Sequence, residues 1–170
     1  MVKRFMSAAV IVTTMLLVTA SAFAGTKTHK SAKVSFWLPD EWKVVEEKAN
    51  LIAVTDKKEE VGLLFMVARA KDMKSVANEI DKVLADTAED IETQPAENVT
   101  INGMDGSLVD ATGTVDGKPV GISVLVIKTP AKKFLMVLGM VQSDKLARHE
   151  ANLERIFQSL KPLRGNKFGS

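Results

Sequence analysis

Apolar residues occur along most of this chain in short runs, which either alternate with polar residues or are continuous. Alternation is typical of a β-strand with one solvated face, and a short continuous run is typical of a strand buried on both faces. Gly, Pro, Asp and Asn residues separate the runs, as they do between strands. The pattern predicts strands over Lys33 to Leu38, Trp42 to Lys48, Leu51 to Asp56, Val61 to Arg69, Glu97 to Asn102, Gly106 to Val115, Lys118 to Lys128 and Lys133 to Val141.

Two other segments repeat apolar residues at helical spacing. The first runs from Met73 to about Glu89, and Asp72 is placed to cap its N-terminus. The second follows Ser143, a suitable capping residue, and extends to about Leu160. Both segments are amphipathic, so each helix is expected to cover a sheet with its apolar face.

Three of the predicted strands determine how the layers are arranged. The stretches Val61 to Ala68, Val120 to Ile127 and Phe134 to Val141 are apolar or small at nearly every position. A strand without a polar face must be covered on both sides. We therefore predict an α+β fold, in which a mainly antiparallel sheet of about six to eight strands lies between helices in three α/β/α layers.

The N-terminal segment has the organisation of a secretory signal peptide. Lys3 and Arg4 form a positive region, an apolar run follows over residues 8–19, and Ala22-Phe23-Ala24 provides small residues before Gly25. The pattern predicts cleavage after Ala24 and a periplasmic or secreted location; an uncleaved anchor is the alternative. The chain is expected to consist of a signal peptide over 1–24, a flexible leader over 25–32, a single domain over 33–163 and a C-terminal tail over 164–170.

Charge and cysteine content narrow the classes of function. The chain carries 23 basic and 21 acidic residues, and loss of Lys3 and Arg4 would leave 21 of each. A neutral mature chain argues against nucleic-acid binding, which requires a basic excess. There is no cysteine, which excludes disulfides, thiol catalysis and thiolate metal sites. After Gly25 no apolar run is long enough for stable membrane insertion.

Residues that could carry catalysis are scarce. The two histidines are His29, in the expected leader, and His149, between two apolar positions of the final helix. No Gly-x-Ser-x-Gly motif is present, and two dispersed histidines do not match zinc-ligand spacings. The neighbouring carboxylates Glu46-Glu47 and Glu59-Glu60 lie in charged stretches that we expect to be solvated. We therefore predict no enzyme activity, no cofactor and no metal.

Four residues are candidates for binding a partner. Trp37 and Trp42 are the only tryptophans, and both fall near the first predicted turn. Trp42 is expected to pack on the core, whereas an exposed Trp37 would be the better anchor for a partner, since aromatic residues dominate interface energetics. Arg148 and His149 on the final helix are the other two candidates.

Two short motifs and the order of elements resemble the Mog1/PsbP-like family. The motifs are Phe36-Trp37-Leu38-Pro39-Asp40-Glu41-Trp42 and Ile156-Phe157-Gln158-Ser159-Leu160-Lys161-Pro162, and the likeness spans roughly Lys33 to Leu163. The family includes photosystem accessory subunits, a nuclear-transport cofactor and exported bacterial proteins. The resemblance implies a binding or accessory domain, here an exported bacterial member of unknown function, and it carries over no catalytic residues.

These observations lead to one main functional hypothesis and two alternatives. The main hypothesis is a non-catalytic exported domain that binds a protein partner in the cell envelope. The first alternative is a carrier of a small apolar ligand or lipid, held between sheet and helix by Met and aromatic side chains. The second is a hydrolase that depends on carboxylates or a metal ion.

Overall fold

The structure is a computed structural model that describes residues 25–163. The predicted signal peptide and C-terminal tail lie outside the described residues. Eleven strands and two α-helices follow one another along this part of the chain. They are β1 (Gly25–His29), β2 (Val34–Leu38), β3 (Lys43–Lys48), β4 (Leu51–Thr55), β5 (Val61–Val67), α1 (Met73–Thr87), β6 (Glu89–Thr93), β7 (Glu97–Ile101), β8 (Met104–Val115), β9 (Lys118–Lys128), β10 (Phe134–Gln142), α2 (Leu146–Ser159) and β11 (Lys161–Pro162), with a 3₁₀ turn at Ser143–Lys145 before α2.

Eight strands form the main sheet, in the order β3-β4-β5-β10-β9-β8-β6. The eighth, β7, also pairs with β8: Val99 of β7 lies opposite Gly106, whereas β6 pairs further along, with Thr93 opposite Ala111. Every neighbouring pair in this sheet is antiparallel. The predicted antiparallel sheet of six to eight strands is therefore confirmed.

Side chains from the central strands alternate between two apolar cores. On β9, Val124 and Val126 face one core, while Leu125 and Ile127 face the other. Strands β5 and β10 alternate in the same way, as the period of two along an extended chain requires. The continuous apolar runs thus mark strands that are covered on both sides.

One helix covers each face of the main sheet, which confirms the predicted α+β sandwich. Helix α1 buries Val76 and Leu84 against one face. Helix α2 buries Ile156 on the other face, where a second sheet of three strands, in the order β1-β2-β11, lies beside it. The predicted first strand, β2, therefore belongs to this small sheet and not to the main one.

Three strands were missed from the sequence pattern. Residues 25–29 were expected to belong to a flexible leader, but Gly25–His29 forms β1, which pairs with all five residues of β2. Strands β6 and β11 were also unpredicted. Each of the three is polar or very short, so it is defined by its pairing partner and not by its own apolar pattern.

Gly139 on β10 determines how closely α2 approaches the main sheet. A Cβ atom at this position would lie 2.9 Å from Leu63 Cδ2 and 3.6 Å from Phe157 Cζ. The missing side chain thus leaves the space into which Phe157 of α2 packs. Among residues 25–163, no helix combines the length and apolar character needed to cross a bilayer.

Candidate functional site

Three side chains join the start of α2 to the loop before β5. Glu60 Oε2 lies 3.0 Å from His149 Nε2 and 3.0 Å from Arg148 Nη1, and Glu60 Oε1 lies 3.1 Å from the same Nη1 atom. Because an ionised carboxylate can only accept hydrogen bonds, the proton of this contact is on His149 Nε2. Glu60 and His149 are 89 residues apart in the chain, so only the folded protein brings them together.

Asp56 holds the loop that carries Glu60. Its Oδ1 atom accepts hydrogen bonds from the backbone N–H groups of Glu60 at 2.7 Å and Val61 at 3.1 Å, and its Oδ2 atom accepts one from the N–H of Lys58 at 3.1 Å. Aspartate commonly closes turns in this way. The Asp56 side chain is buried, with 6% of the residue exposed. Glu60 is thereby fixed at the end of the loop that faces α2.

The surroundings of Glu60 favour its charged form. The hydrogen bond from His149 is the largest influence, and together with the hydrogen bond and charge of Arg148 it holds the pKa of Glu60 below its ordinary value of 4.5. Partial burial acts in the opposite direction but is outweighed. Glu60 is therefore an anion at neutral pH, and it accepts hydrogen bonds from both neighbours.

The same region places three metal-ligating groups close together. One ligand atom from each of Asp56, Glu60 and His149 lies within 4.8 Å of the other two. Sequence reasoning missed this cluster, because Glu60 sits in the charged turn Lys57-Lys58-Glu59-Glu60 and nothing in the local pattern indicates its distant partner. The residue that could have drawn attention was His149, a lone imidazole between apolar positions of an amphipathic helix.

A second noteworthy contact lies further along α2. The guanidinium carbon of Arg155 lies 3.8 Å from the centre of a Trp37 ring, in a cation–π arrangement. The backbone N–H of Trp37 donates to Ser159 Oγ at 2.8 Å, which fixes β2 against the end of α2. Trp37 is half-buried and Arg155 is exposed, so the pair forms part of the molecular surface. We call it the Trp37–Arg155 stack.

The four predicted partner-binding residues differ in their accessibility. Trp37 lies in the Trp37–Arg155 stack, and the side chain of Arg148 is 55% exposed. Trp42 is buried in the core beneath the small sheet, and His149 is 6% exposed against Glu60. Trp42 thus packs among apolar residues, as expected, and His149 is turned toward Glu60 and away from solvent.

The carboxylate pairs that could have served acid–base chemistry have separate partners. Glu59 pairs with Lys43 Nζ at 2.9 Å, whereas Glu60 faces α2. On β3, Glu46 forms an ion pair with Lys48. In these contacts the adjacent glutamates do not share one site.

His29 is buried, although the sequence placed it in a flexible leader. Only 1% of the residue is exposed, and its Nδ1 atom accepts a hydrogen bond from the backbone N–H of Ala32 at 3.3 Å. Its Nε2 atom has no hydrogen-bond partner among the described residues. Burial lowers the pKa of His29 from 6.5, more than the nearby backbone groups of Asn50 and Phe65 raise it. The imidazole therefore stays neutral in the folded chain at neutral pH.

A cleft of about 270 Å³ lies where β8 begins and β9 ends. Its lining includes Met104, Asp105, Thr129 and Pro162. This volume falls just below the usual range for small-molecule sites, about 300–1,000 Å³. The cleft lies at the ends of these strands, beside Pro162 of β11, and not between sheet and helix, where a lipid carrier would hold its ligand.

Comparison with known proteins links the chain to others through structure alone. No family model and no curated protein matches the sequence. The solution structure of CyanoP, the cyanobacterial PsbP of Synechocystis sp. PCC 6803, matches with a TM-score of 0.64 and 12% identity, covering 82% of this chain and 94% of that one. The Ran-binding protein Mog1p of Saccharomyces cerevisiae matches with a TM-score of 0.53 and 11% identity, covering 83% and 97%.

This chain has the Mog1/PsbP-like fold. A Pseudomonas aeruginosa protein of unknown function, PA94, matches as well, with a TM-score of 0.50 and 14% identity over 75% of this chain and 90% of that chain. The resemblance inferred from residues 36–42 and 156–162 is thus confirmed at the level of the fold. Both motifs lie where β2 and α2 pack together, on the side of the small sheet.

Proposed function

We propose that this chain is a non-catalytic, exported domain that binds another protein, and that the Trp37–Arg155 stack lies at the centre of the binding surface. The observation that carries the proposal is a tryptophan whose ring is covered by an exposed guanidinium at 3.8 Å. Tryptophan and arginine are the residue types most enriched among the residues that dominate binding energy. An exposed cation–π contact contributes only about 0.5–1 kcal/mol, so a partner can replace it at little cost.

Two further observations support a binding role. The fold is shared with Mog1p, which is a Ran-binding protein. Both histidines, the residues best suited to acid–base catalysis at neutral pH, are buried, and His149 Nε2 is engaged by Glu60. The described residues therefore favour recognition over catalysis.

Export is part of the same proposal, and the N-terminal sequence supports it. The positive, apolar and small-residue regions of the first 24 residues follow the order of a signal peptide, which would place the mature protein in the periplasm or outside the cell. Intact-mass measurement of the protein recovered from the periplasm or medium should give a chain that begins at Gly25. Recovery of only the full-length chain from the cytoplasm would contradict export.

Site-specific photo-crosslinking in cells that express the full chain tests the binding surface. Ala151 lies four residues before Arg155 on α2 and is exposed, so a crosslinking residue there would sit beside the stack. Ala85, an exposed alanine on α1 at the opposite face of the sheet, is the matched control. We expect a discrete crosslinked species from position 151 and not from position 85.

A substitution at Arg155 shows whether the crosslinked species depends on the Trp37–Arg155 stack. Arg155→Gln removes the guanidinium from an exposed helix position, and it should reduce the crosslink at position 151 by about tenfold if the residue is a binding hot spot. Lys82→Gln, which removes an exposed positive charge from α1 on the opposite face of the sheet, should leave it unchanged. Equal crosslinking at positions 85 and 151, or a species insensitive to Arg155→Gln, would exclude this surface.

A further inference from the structure

We infer that Asp56, Glu60 and His149 form a binding site for one divalent transition-metal ion of the Zn²⁺ type. The site is distinct from the Trp37–Arg155 stack, and it goes beyond the proposed protein binding. It combines one imidazole nitrogen with two carboxylates, a ligand set that Zn²⁺ and its neighbours in the first transition row accept. With three protein ligands, a fourth coordination position remains for water.

The spacing of the three side chains is close to that of a coordinated ion. Zn²⁺ binds nitrogen and oxygen ligands at about 2.0–2.2 Å, so two ligands of a tetrahedral ion lie roughly 3.3 Å apart. His149 Nε2 and Glu60 Oε2 are already 3.0 Å apart, and all three ligand atoms lie within 4.8 Å of one another. The largest of the three separations therefore exceeds the tetrahedral spacing by roughly 1.5 Å or less, a difference that side-chain adjustment can close.

Two of the three ligands are held in place by the fold. Asp56 accepts three backbone N–H bonds, two at Oδ1 and one at Oδ2, and these remain possible when Oδ2 also binds an ion through its second lone pair. His149 lies on the second turn of α2 with only 8% of its side chain exposed. Such fixed ligands reduce the conformational entropy that is lost on binding.

Arg148 would compete with a metal ion for Glu60. Its Nη1 atom contacts both oxygens of Glu60, while 55% of its side chain is exposed, so it can turn out into water. Binding would replace the Arg148–Glu60 contact with a metal–oxygen bond. The proton on His149 Nε2 would move to Nδ1 or to solvent, which frees the Nε2 lone pair for the ion. Lys58 adds positive charge near Glu60 and also opposes binding.

Because Arg148 competes with the ion for Glu60, removal of Arg148 should strengthen metal binding. Isothermal titration of ZnCl₂ into the untagged protein, purified from cells that express the full chain, should show one Zn²⁺ per chain. We expect Asp56→Asn, Glu60→Gln and His149→Gln each to weaken the affinity at least about tenfold. Arg148→Gln should tighten it by about threefold or more, since one competing charge is lost.

Glu59→Gln is the matched control, since Glu59 is the exposed carboxylate next to Glu60 and pairs with Lys43 instead. It should leave Zn²⁺ affinity unchanged. The gain expected for Arg148→Gln cannot arise from misfolding, so it keeps the test decisive if a ligand variant is unstable. Absence of binding at one ion per chain, equal losses for Glu59→Gln and Glu60→Gln, or weaker binding by Arg148→Gln would each overturn the inference.

Discussion

On one face of the main sheet, α1 completes a core made largely of Val, Ala, Leu, Ile and Met, whereas on the other face α2 and the small sheet enclose most of the large aromatic side chains. Phe36 and Phe65 lie on the α2 side, where their rings stack with centroids 3.9 Å apart, and Trp42 is buried with them. Both layers are amphipathic, yet the apolar volume on the α2 side is greater. Core size alone therefore predicts that the α2 side contributes more to stability.

The helices on the two faces of the main sheet also differ in their polar contacts. Helix α2 is connected to the rest of the fold by Glu60 at its start and by Asn102 at its end, where Asn102 Nδ2 donates to the carbonyls of Gln158 and Leu160 at 2.9 and 2.7 Å. On α1, Glu79 accepts from the backbone N–H groups of Arg69 and Ala70, just before the helix. These hydrogen bonds constrain the position of α2 at both of its ends, which is not the case for the contacts of Glu79 on α1.

Phe65→Ala should give the largest loss of stability, because Phe65 is fully buried and stacks on Phe36. The free energy of unfolding should fall by about 3–5 kcal/mol, the usual cost of removing a buried phenylalanine ring. Val76→Ala, at a fully buried position of α1, should cost roughly 1.6 kcal/mol, since two methyl groups are lost. Urea denaturation of both variants checks this, and a greater loss for Val76→Ala would reverse the comparison.

Asn102→Ala should cost about 2 kcal/mol, because it removes two hydrogen bonds worth about 1 kcal/mol each and leaves a residue with a Cβ at a positive φ of 49°. Asn102→Gly separates the two causes, since glycine adopts this φ freely. Thermal denaturation should rank the wild type first, then Asn102→Gly, then Asn102→Ala. If Asn102→Gly is as stable as the wild type, the bonds to α2 contribute nothing.

The buried imidazole of His29 should make the stability of the protein depend on pH. Its pKa is lowered by burial, so as pH falls below about 6.5 the unfolded chain binds a proton that the folded chain does not. The free energy of unfolding should therefore decrease with falling pH, by up to about 1.4 kcal/mol per pH unit. Urea titrations at pH 7.5 and 5.5 measure this, and Glu60 does not interfere because its pKa lies below 4.5.

His29→Gln should flatten this dependence. An unchanged slope in His29→Gln would show that the buried imidazole is not its source.

Asp72→Ala should have the smallest of these effects, about 1 kcal/mol, through loss of the α1 cap. Asp72 Oδ1 accepts from the Ser75 N–H at 2.9 Å, and this bond is the main cause that lowers the pKa of Asp72 below 3.8. Asp144→Ala, before α2, removes only an exposed pair with Lys145 and should change the free energy of unfolding little. Equal losses in the two variants, measured by thermal denaturation, would show that the cap is not responsible.

Strands and helices with an apolar pattern were predicted from the sequence, and those without one were not. The continuous runs in β5, β9 and β10 correctly indicated burial on both faces. Strand β1 reads Gly-Thr-Lys-Thr-His, and its one buried residue is a histidine, so no alternation marks it. Its strand geometry depends on β2, a non-local partner.

The candidate site was predictable only in part, for a similar reason. His149 was named as a candidate binding residue between two apolar positions of the final helix, and it lies at the contact between α2 and the β4–β5 loop. Glu60 was interpreted as a solvated charge, because local sequence does not specify what packs above a turn. Trp37 and Trp42 fall in one short motif, but β2 and the chain that follows it direct the first to the surface and the second into the core.

Strand β2 lies between β1 and β11, the first and last strands of the described chain, and this order has a consequence for biosynthesis. As the polypeptide leaves the ribosome, β2 is made well before β11 and the adjoining Leu160. Until β11 is made, the hydrophobic side of β2 is not fully covered. A chain that stops before β11 would leave this surface exposed to chaperones and proteases. Synthesis of β11 is thus needed before this side of β2 can be fully paired and covered.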